Sequence, residues 1–324
     1  MAGTLRTVPL GFAGNDGTTR IKALMWTSDA LDDRIGAGAV APQGIIHLVH
    51  GMAEHIERYD ELAHFFVEHG YVVCGADMAG HGESVASPSD RGCLPSYGGA
   101  DILVEDVHAL RELVSSRFPR TTPYVLFGHS MGSFIVRAYL ARYGVGLAAA
   151  VACGTGNPSR ALSLFGRTVA RVISQVKGPS YLSSFLDAQV VGAYSSAIED
   201  ARTPIDWLST DPDVVDAYLA DELCGFRFSA GGYATLTDLT LRTASPACAA
   251  AVPKDLPVLF IAGGQDPIGE CGRGVEAAAN LLRCAGVARV DVKLYPDMRH
   301  EIHNEPGRAE VFGDVLAWIE GVLS

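Results

Sequence analysis

The sequence predicts an α/β fold, with a mostly parallel sheet covered by helices on both faces and interrupted by a helical insertion. Three observations support this prediction. Short apolar runs alternate with stretches of helical spacing in the first half of the chain and again after residue 254. Between these parts, residues 155–253 show only helical patterns and loops. With 324 residues, 48% of them hydrophobic, the chain is long enough to bury a large core.

The first part of the core, residues 1–154, begins with a predicted β-hairpin from about Thr7 to Thr27, at an edge of the sheet. Its turn is Asn15-Asp16-Gly17, and a loop over Ala30–Gly44 follows. Strands and helices then alternate, with strands at Ile45–Val49, Tyr71–Gly75, Tyr124–Phe127 and Leu147–Cys153 and helices at Tyr59–His69 and Ile102–Phe118. Continuous apolar strands of this kind are typical of parallel sheets buried on both faces.

The insertion, residues 155–253, contains predicted helices at Leu162–Val176 and Val214–Leu219. The second part of the core, residues 254–324, returns to the alternating pattern. Its elements are strand Val258–Ala262, a helix near Val275–Cys284, strand Val290–Leu294 and a terminal helix with Val311, Phe312, Val315, Trp318, Ile319 and Val322 on one face. We therefore expect one sheet built from both core parts, with the insertion above it.

Charge and cysteine content exclude several classes of protein. The formal net charge of −12 argues against a nucleic-acid partner. Seven cysteines without C-x-x-C spacing predict neither a disulfide framework nor a zinc site, which fits a reducing compartment. The first 28 residues lack the pattern of a signal peptide, and no apolar run approaches the roughly 18 residues of a membrane span. We expect a cytoplasmic location.

The segment Gly128-His129-Ser130-Met131-Gly132 follows an apolar strand and precedes a helical pattern. A serine at such a strand–turn–helix junction is typical of a nucleophile elbow. The two glycines allow the backbone segments to approach closely, and the serine is held in a sparsely populated conformation. The alternative is a glycine- and serine-rich loop between two core elements. The pattern on both sides favours Ser130 as a nucleophile.

A serine hydroxyl needs a positioned base, usually a histidine that a carboxylate orients. Asp266 follows strand Val258–Ala262, and His300 follows strand Val290–Leu294. Because the carboxyl ends of parallel strands lie at one edge of a sheet, both side chains can converge on Ser130. The order Ser, Asp, His along the chain is that of one class of hydrolases.

Each of these residues has a competitor. His303 competes with His300, although it lies about one helical turn further from the strand end. Asp297 competes with Asp266, although its place after Pro296 is typical of a turn residue. The sequence favours Asp266 and His300.

A tetrahedral intermediate requires two N–H donors aimed at its oxyanion. One is expected from the residue after the nucleophile, Met131, and the other from the loop that follows the third strand. That strand ends at His50-Gly51-Met52, so we expect the backbone N–H of Met52 to be the second donor.

These motifs resemble the monoacylglycerol lipase and lysophospholipase group of α/β-hydrolases, also called the serine aminopeptidase group. The matching core segments are His50-Gly51-Met52-Ala53-Glu54-His55, Arg58-Tyr59, Asp77 through Gly80-His81-Gly82-Glu83-Ser84, Gly128-His129-Ser130-Met131-Gly132, Gly264-Gln265-Asp266-Pro267, His300-Glu301 and Asn304-Glu305. The insertion is similar to a bacterial branch at Arg202-Thr203-Pro204, Asp206-Trp207-Leu208-Ser209 and Leu223-Cys224-Gly225-Phe226. One departure is Ser133, where the family commonly has a second glycine, and we expect it to alter packing more than mechanism.

The resemblance implies an α/β-hydrolase fold with a helical cap, and hydrolysis of carboxylic esters of glycerol-type lipids, monoacylglycerol or lysophospholipid, through an acyl-enzyme. No metal or organic cofactor is expected. The alternatives are an esterase or acyltransferase acting on short-chain or non-lipid esters, and a non-catalytic ligand-binding protein of the same fold.

Substrate choice should depend on the insertion. Its helix Leu162–Val176 has an apolar face suited to acyl chains, and transient contact with a membrane surface is possible through it. Basic residues on the rest of the helix either meet a phosphate or an anionic bilayer or form a solvated face, and they are Arg160, Arg167, Arg171 and Lys177. The expected aromatic walls of the pocket are Tyr181, Phe185, Tyr194, Trp207 and Phe226.

Overall fold

The structure is a computed structural model that describes residues 4–31, 41–199 and 201–324. In these ranges eight strands form a single sheet. They are β1 (Leu5–Ala13), β2 (Arg20–Ser28), β3 (Ile45–Val49), β4 (Val72–Ala76), β5 (Tyr124–His129), β6 (Ala149–Cys153), β7 (Val258–Gly263) and β8 (Val290–Tyr295). The strand order is β1-β2-β4-β3-β5-β6-β7-β8. The pairs β1–β2 and β2–β4 are antiparallel, and the other neighbours are parallel.

Ten α-helices lie within the described residues. They are α1 (Asp60–Glu68), α2 (Gly99–Ser115), α3 (Met131–Tyr143), α4 (Arg160–Lys177), α5 (Ser184–Ser195), α6 (Pro212–Ala220), α7 (Ala230–Thr243), α8 (Pro246–Ala251), α9 (Arg273–Cys284) and α10 (Arg308–Leu323). Helices α4 to α8 all lie in the insertion. No helix in the described part of the chain is long and apolar enough to cross a bilayer.

The predicted α/β fold is confirmed, including the hairpin at one edge of the sheet. The loop expected over Ala30–Gly44 falls mostly in residues 32–40, outside the described residues. Between β6 and β7 the described chain adds no strand to the sheet, and its β-pairing is a single bridge between Leu182 and Ser229. Helices α5, α7 and α8 were not predicted individually.

The core lies in and around the middle of the sheet. Every residue of β3, β5, β6 and β7 is buried, because helices cover both faces of these parallel strands. The edge strands β1 and β8 are only partly buried. The loops after β3, β5, β7 and β8 all leave the same carboxyl edge, so residues distant in sequence meet there.

Helix α4 is oriented unlike an ordinary amphipathic helix. Its buried residues are small, and they are Ser163, Ala170 and Ser174. A Cβ atom at Gly166 would lie 3.1 Å from the Thr237 methyl carbon of α7, so the two helices pack closely. The large apolar side chains point away from this contact, and Phe165 and Val176 are 64% and 73% exposed.

Two basic residues of α4 turn back towards the protein. Arg167 forms an ion pair with Asp238 at 2.8 Å. Arg171 donates to the Ser96 carbonyl at 3.1 Å and lies over the Tyr97 ring. Of the two alternatives for the basic residues, a free solvated face is wrong for Arg167 and Arg171, because Asp238 on α7 attracts both and they are only 25% and 23% exposed. Arg160 and Lys177, at the two ends of the helix, are exposed as expected.

Candidate active site

The junction of β5 and α3 is a sharp turn with Ser130 at its apex. Ser130 has φ 53° and ψ −120°, a sparsely populated conformation that costs on the order of 1–3 kcal/mol. A Cβ atom at Gly132 would overlap the carbonyl oxygen of Val49, so only glycine fits there. The Ser130 N–H donates to the Cys153 carbonyl at 2.9 Å, and Ser133 donates its hydroxyl to the Ser130 carbonyl. The surrounding structure thus holds the strained turn in place.

Asp266 and His300 meet beside this turn. His300 Nδ1 lies 2.9 Å from Asp266 Oδ2, and the two side chains are almost completely buried. The carboxylate fixes the proton on Nδ1, which leaves Nε2 as the basic nitrogen. Nε2 has no hydrogen-bond partner in the described part of the chain, and no hydrogen bond joins it to Ser130. Ser130 and His300 nevertheless line the same cavity.

The charge state of His300 depends on two opposing effects. Burial alone would lower the pKa of His300, but the neighbouring Asp266 carboxylate and the hydrogen bond to it outweigh burial and raise the pKa above its ordinary value of 6.5. A histidine in this state accepts a proton readily, as a general base must.

The competing residues are placed elsewhere. Asp297 is exposed in the turn after β8. His303 is buried behind the site, stacked on Tyr59 with ring centroids 4.7 Å apart and edge-on to His129 at 4.6 Å. The structure therefore pairs Asp266 with His300, and His300 lines the cavity whereas His303 does not.

Two backbone N–H groups adjoin the serine, those of Met52 and Met131. A Cβ atom at Gly51 would lie 3.1 Å from the Ser130 Cβ, so the loop after β3 passes directly beside the turn. Neither Met52 N–H nor Met131 N–H donates to another group among the residues that the structure describes. Met52 and Met131 both line the cavity.

His50 orients the peptide group before Met52. The Met78 N–H donates to His50 Nε2 at 2.9 Å, so the ring proton is on Nδ1, which donates to the Gly51 carbonyl at 2.8 Å. Burial lowers the pKa of His50 to about 4, partly opposed by Glu54, and the ring stays neutral. The C=O and N–H of a trans peptide point in opposite directions. Because His50 holds the Gly51 carbonyl, the Met52 N–H points away from His50.

A buried ionic network connects the loop after β3 with the loop after β8. Its role was not predicted from the sequence. Arg58 donates to Glu54 at 2.6 Å and to both carboxylate oxygens of Glu301 at 2.8 and 2.6 Å. Glu54 also accepts from the Gly51 N–H, and Glu301 directly follows His300. Arg58 thereby ties the loop that carries Met52 to the loop that carries the histidine. The sequence contained these residues as a motif, but not their pairing across 243 positions.

The cavity has a volume of about 470 Å³ and lies between the sheet edge and the insertion. Four of the expected wall residues line it, and they are Phe185, Tyr194, Trp207 and Phe226. Tyr181 does not. Tyr181 is 44% exposed, and its backbone carbonyl accepts the Ala230 N–H at the start of α7. Four carboxyl residues and one arginine also line the cavity, and they are Glu54, Asp187, Glu270, Glu301 and Arg227.

Two groups of side chains offer three potential metal ligands each within the described residues. One is His129, Cys153 and His303, and the other is His55, Asp221 and Cys224. All seven cysteines, which lie in the described ranges, are unpaired.

The sheet order, the serine turn and the Asp–His pair at the carboxyl edge define an α/β-hydrolase. The chain belongs to the family described as serine aminopeptidase, S33, whose model matches residues 40–307.

Similar proteins agree with this assignment. A monoacylglycerol lipase from Mycolicibacterium smegmatis is 32% identical over 95% of this chain and 95% of its own. The mouse monoglyceride lipase is 25% identical over 86% of this chain and 82% of its own. Among solved structures, a carboxyl esterase from Bacillus coagulans in complex with glycerol has a TM-score of 0.87 at 32% identity, over 99% of this chain and 100% of that one. The chain is therefore an ester hydrolase of this family, which confirms the predicted class of enzyme.

Proposed function

We propose that this enzyme hydrolyses neutral monoacylglycerols through an acyl-enzyme, with Ser130 as nucleophile, His300 as general base and Asp266 as the group that orients it. The observation that carries this proposal is the convergence of the strained serine and the Asp266–His300 pair on one largely apolar cavity. We further assign residues 155–253 as a cap over that cavity.

In this mechanism the Ser130 hydroxyl attacks the ester carbonyl and gives its proton to His300 Nε2. The N–H groups of Met52 and Met131 stabilise the oxyanion that forms. His300 then protonates the departing glycerol oxygen, which leaves the acyl group on Ser130. A water molecule gives a proton to His300 and attacks the acyl-enzyme. The bond between the acyl carbon and the Ser130 oxygen then breaks, His300 returns the proton to Ser130, and the fatty acid leaves. No step requires a metal ion or an organic cofactor.

The cavity supports a lipid substrate. Its size lies within the range of pockets that enclose most of a small organic ligand. Aromatic and aliphatic side chains from α4, α5 and α7 form much of its wall, among them Phe165, Val169, Phe185, Val190 and Leu236. An acyl chain placed there leaves water and gains about 0.8 kcal/mol for each buried methylene.

The charges around the serine favour a neutral head group. Glu54 and Glu301 line the cavity and lie only 2% exposed. These carboxylates would repel a phosphate placed beside them. Arg58 could not neutralise the added charge, because it is already paired with both carboxylates. On α4, Arg167 and Arg171 are engaged with Asp238 and Ser96, so they are poorly placed to bind a phosphate. A glycerol head group meets none of these costs.

The test is hydrolysis of 1-monoacylglycerol compared with lysophosphatidylcholine of the same chain length. We expect a higher kcat/KM for the neutral lipid and no turnover by Ser130→Ala. Ser163→Ala is the matched control, since Ser163 lines the same cavity and bonds to Thr240 instead. Preference for lysophosphatidylcholine would refute the head-group argument, and undiminished activity of Ser130→Ala would remove the mechanism.

The same cavity is compatible with a second candidate, an esterase or acyltransferase for short-chain or non-lipid esters. The similarity to the Bacillus coagulans carboxyl esterase favours considering it. A series of 4-nitrophenyl esters separates the two functions. A lipid enzyme gains kcat/KM as the acyl chain lengthens and fills the apolar cavity, whereas a short-chain esterase loses it.

We also propose that the insertion contacts the lipid surface through apolar side chains and not through basic ones. Phe165 lies at the cavity and is 64% exposed, while Val172 and Val176 extend the same face of α4 and are 53% and 73% exposed. Exposed apolar residues grouped beside a cavity mark a site of lipid or protein contact. Burying each valine in a bilayer interface would contribute up to about 1.5 kcal/mol.

Sedimentation with phosphatidylcholine vesicles tests this contact. Val172→Asp and Val176→Asp should each lower the vesicle partition coefficient about tenfold, because an aspartate cannot enter the apolar boundary. Val145→Asp is the control, since Val145 is 83% exposed in the loop after α3. Binding that requires anionic lipid and survives both substitutions would instead assign the contact to the basic residues.

A further inference from the structure

Three side chains that the proposed mechanism does not use meet behind Ser130. His129 ends β5, Cys153 ends β6, and His303 lies in the loop before α10. A nitrogen from each histidine and the Cys153 sulfur all lie within 4.8 Å of one another. The three residues are at most 2% exposed. Two imidazoles and a thiol form a ligand set that suits zinc and other thiophilic ions.

His303 lacks the partners that a buried histidine normally has. Neither of its ring nitrogens makes a hydrogen bond to any group in the described ranges of the chain. An unpaired buried polar group costs about 1–3 kcal/mol and calls for a physical explanation. An imidazole with two unpartnered nitrogens can offer one of them to a metal ion.

His129 is oriented like a metal ligand. Its Nδ1 lies 3.0 Å from the Tyr59 hydroxyl and 3.4 Å from a Glu54 oxygen. Its Nε2 faces the end of β6, since a Cβ atom at Gly154 would lie 3.2 Å from it. Metal-binding histidines almost always present one nitrogen to the ion and the other to a carboxylate or similar group.

The surrounding charge favours a cation. Three buried carboxylates lie around this group. Glu54 is 3.4 Å from His129 Nδ1, Asp266 is 2.9 Å from the Nδ1 of the neighbouring His300, and Glu301 shares Arg58 with Glu54. A divalent ion would offset this negative potential, and the thiol would release its proton to solvent when the metal–sulfur bond forms.

We propose that His129 Nε2, Cys153 Sγ and a nitrogen of His303 bind one thiophilic divalent ion, such as Zn²⁺, and that the bound ion inhibits the enzyme. Tetrahedral zinc with bonds of about 2.0–2.3 Å places its ligands roughly 3.3–3.8 Å apart, so the side chains must move together by up to about 1 Å. Water takes the fourth position. The ion reaches the group through the cavity, which His129 lines.

We expect inhibition because the ion would take the place of a hydrogen bond between His129 and His300. His129 Nε2 lies 3.3 Å from the His300 carbonyl oxygen, and the two rings are 4.7 Å apart. When Nε2 binds a metal it can no longer donate to that carbonyl, and the loop carrying His300 loses a support. The inhibition rests on the proposed role of His300, whereas the binding itself does not.

Binding is tested on the full chain after treatment with a chelator. Equilibrium dialysis should find one Zn²⁺ per chain, and titration with Co²⁺ should produce the charge-transfer absorbance of a cobalt–thiolate bond. Cys153→Ala and His303→Phe should each weaken Zn²⁺ binding at least tenfold and remove or reduce that absorbance. Circular dichroism verifies that both variants are folded. If Cys153→Ala is unfolded, Cys153→Ser is used in its place.

The matched control is Cys224→Ala, which removes the thiol of the other group, His55, Asp221 and Cys224. Zn²⁺ should inhibit this variant and the wild type alike, whereas the activity that Cys153→Ala retains should be the same with and without Zn²⁺. The proposal is overturned if no cobalt–thiolate absorbance forms, or if Cys224→Ala and not Cys153→Ala abolishes it. An inactive enzyme that still binds Zn²⁺ through Cys153 would contradict the proposed function and leave the metal site standing.

Discussion

Replacing Arg58 by methionine tests how the two loops of the site are held together. The change removes three hydrogen bonds of 2.6–2.8 Å and leaves Glu54 and Glu301, each 2% exposed, without a cationic partner. Burial raises the pKa of Glu54, but the Arg58 guanidinium together with His129 and His50 outweighs burial and holds the pKa well below its ordinary value. The same balance lowers the pKa of Glu301. Without Arg58, both carboxylates lose the largest of the effects that oppose burial, so the pKa of each should rise.

The expected loss of stability is about 3–5 kcal/mol, the cost of leaving buried charges unpaired. For 324 residues the unfolding entropy is about 0.7 kcal/mol per kelvin, so the melting temperature of Arg58→Met should fall by roughly 4–7 °C. The sign of the pH dependence follows from the pKa directions. In the variant the carboxylates of the folded state have raised pKa values, so they destabilise it more at pH 8 than at pH 5.

Thermal unfolding followed by circular dichroism at both pH values measures this effect. Arg202→Met is the matched control, because Arg202 pairs with Asp216 at 2.7 Å while both side chains are about half exposed. Removing such a surface pair should barely change the melting temperature. An Arg58→Met melting temperature within 1 °C of the wild type at pH 8 would refute the assignment of a buried ionic connection.

Two further predictions concern the base and the turn. As pH falls through the raised pKa of His300, kcat/KM should decline because the protonated ring cannot act as a base. Asp266→Asn should shift that decline to lower pH and reduce kcat about 10³–10⁴-fold. A pH profile unchanged in Asp266→Asn would contradict this. Gly132→Ala should unfold or inactivate the enzyme, since its Cβ would overlap the Val49 carbonyl, whereas Gly313→Ala in α10 has open space and should raise the melting temperature by about 1 °C.

Much of the fold and the placement of the site could be predicted from the sequence, because they depend on local patterns. Buried parallel strands are continuous apolar runs, and their carboxyl ends locate Asp266 and His300 without any knowledge of contacts. Ser130 was identifiable because a strained turn requires glycine at fixed neighbouring positions. The catalytic roles of these residues remain a prediction.

Features that depend on tertiary packing could not be predicted. The periodicity of α4 shows an apolar face but not that small residues on the opposite face pack against α7, which leaves the apolar face outward. Arg167 was expected on a free basic face because its partner, Asp238, lies 71 positions away. Tyr181 was expected in the pocket wall, but aromatic character alone does not give the direction of a side chain. The connection of Arg58 to Glu301 and the approach of His303 to His129 are likewise long-range contacts.

The central claim is that Ser130 is the nucleophile and that His300 and Asp266 activate it. Labelling with a fluorophosphonate, followed by peptide mass spectrometry, tests this claim without a choice of lipid substrate. We predict one label per chain, located on Ser130. Labelling should be slowed at least 10³-fold by His300→Ala and unchanged by Ser163→Ala. A label on another serine, or labelling of Ser130 at the wild-type rate in His300→Ala, would contradict it.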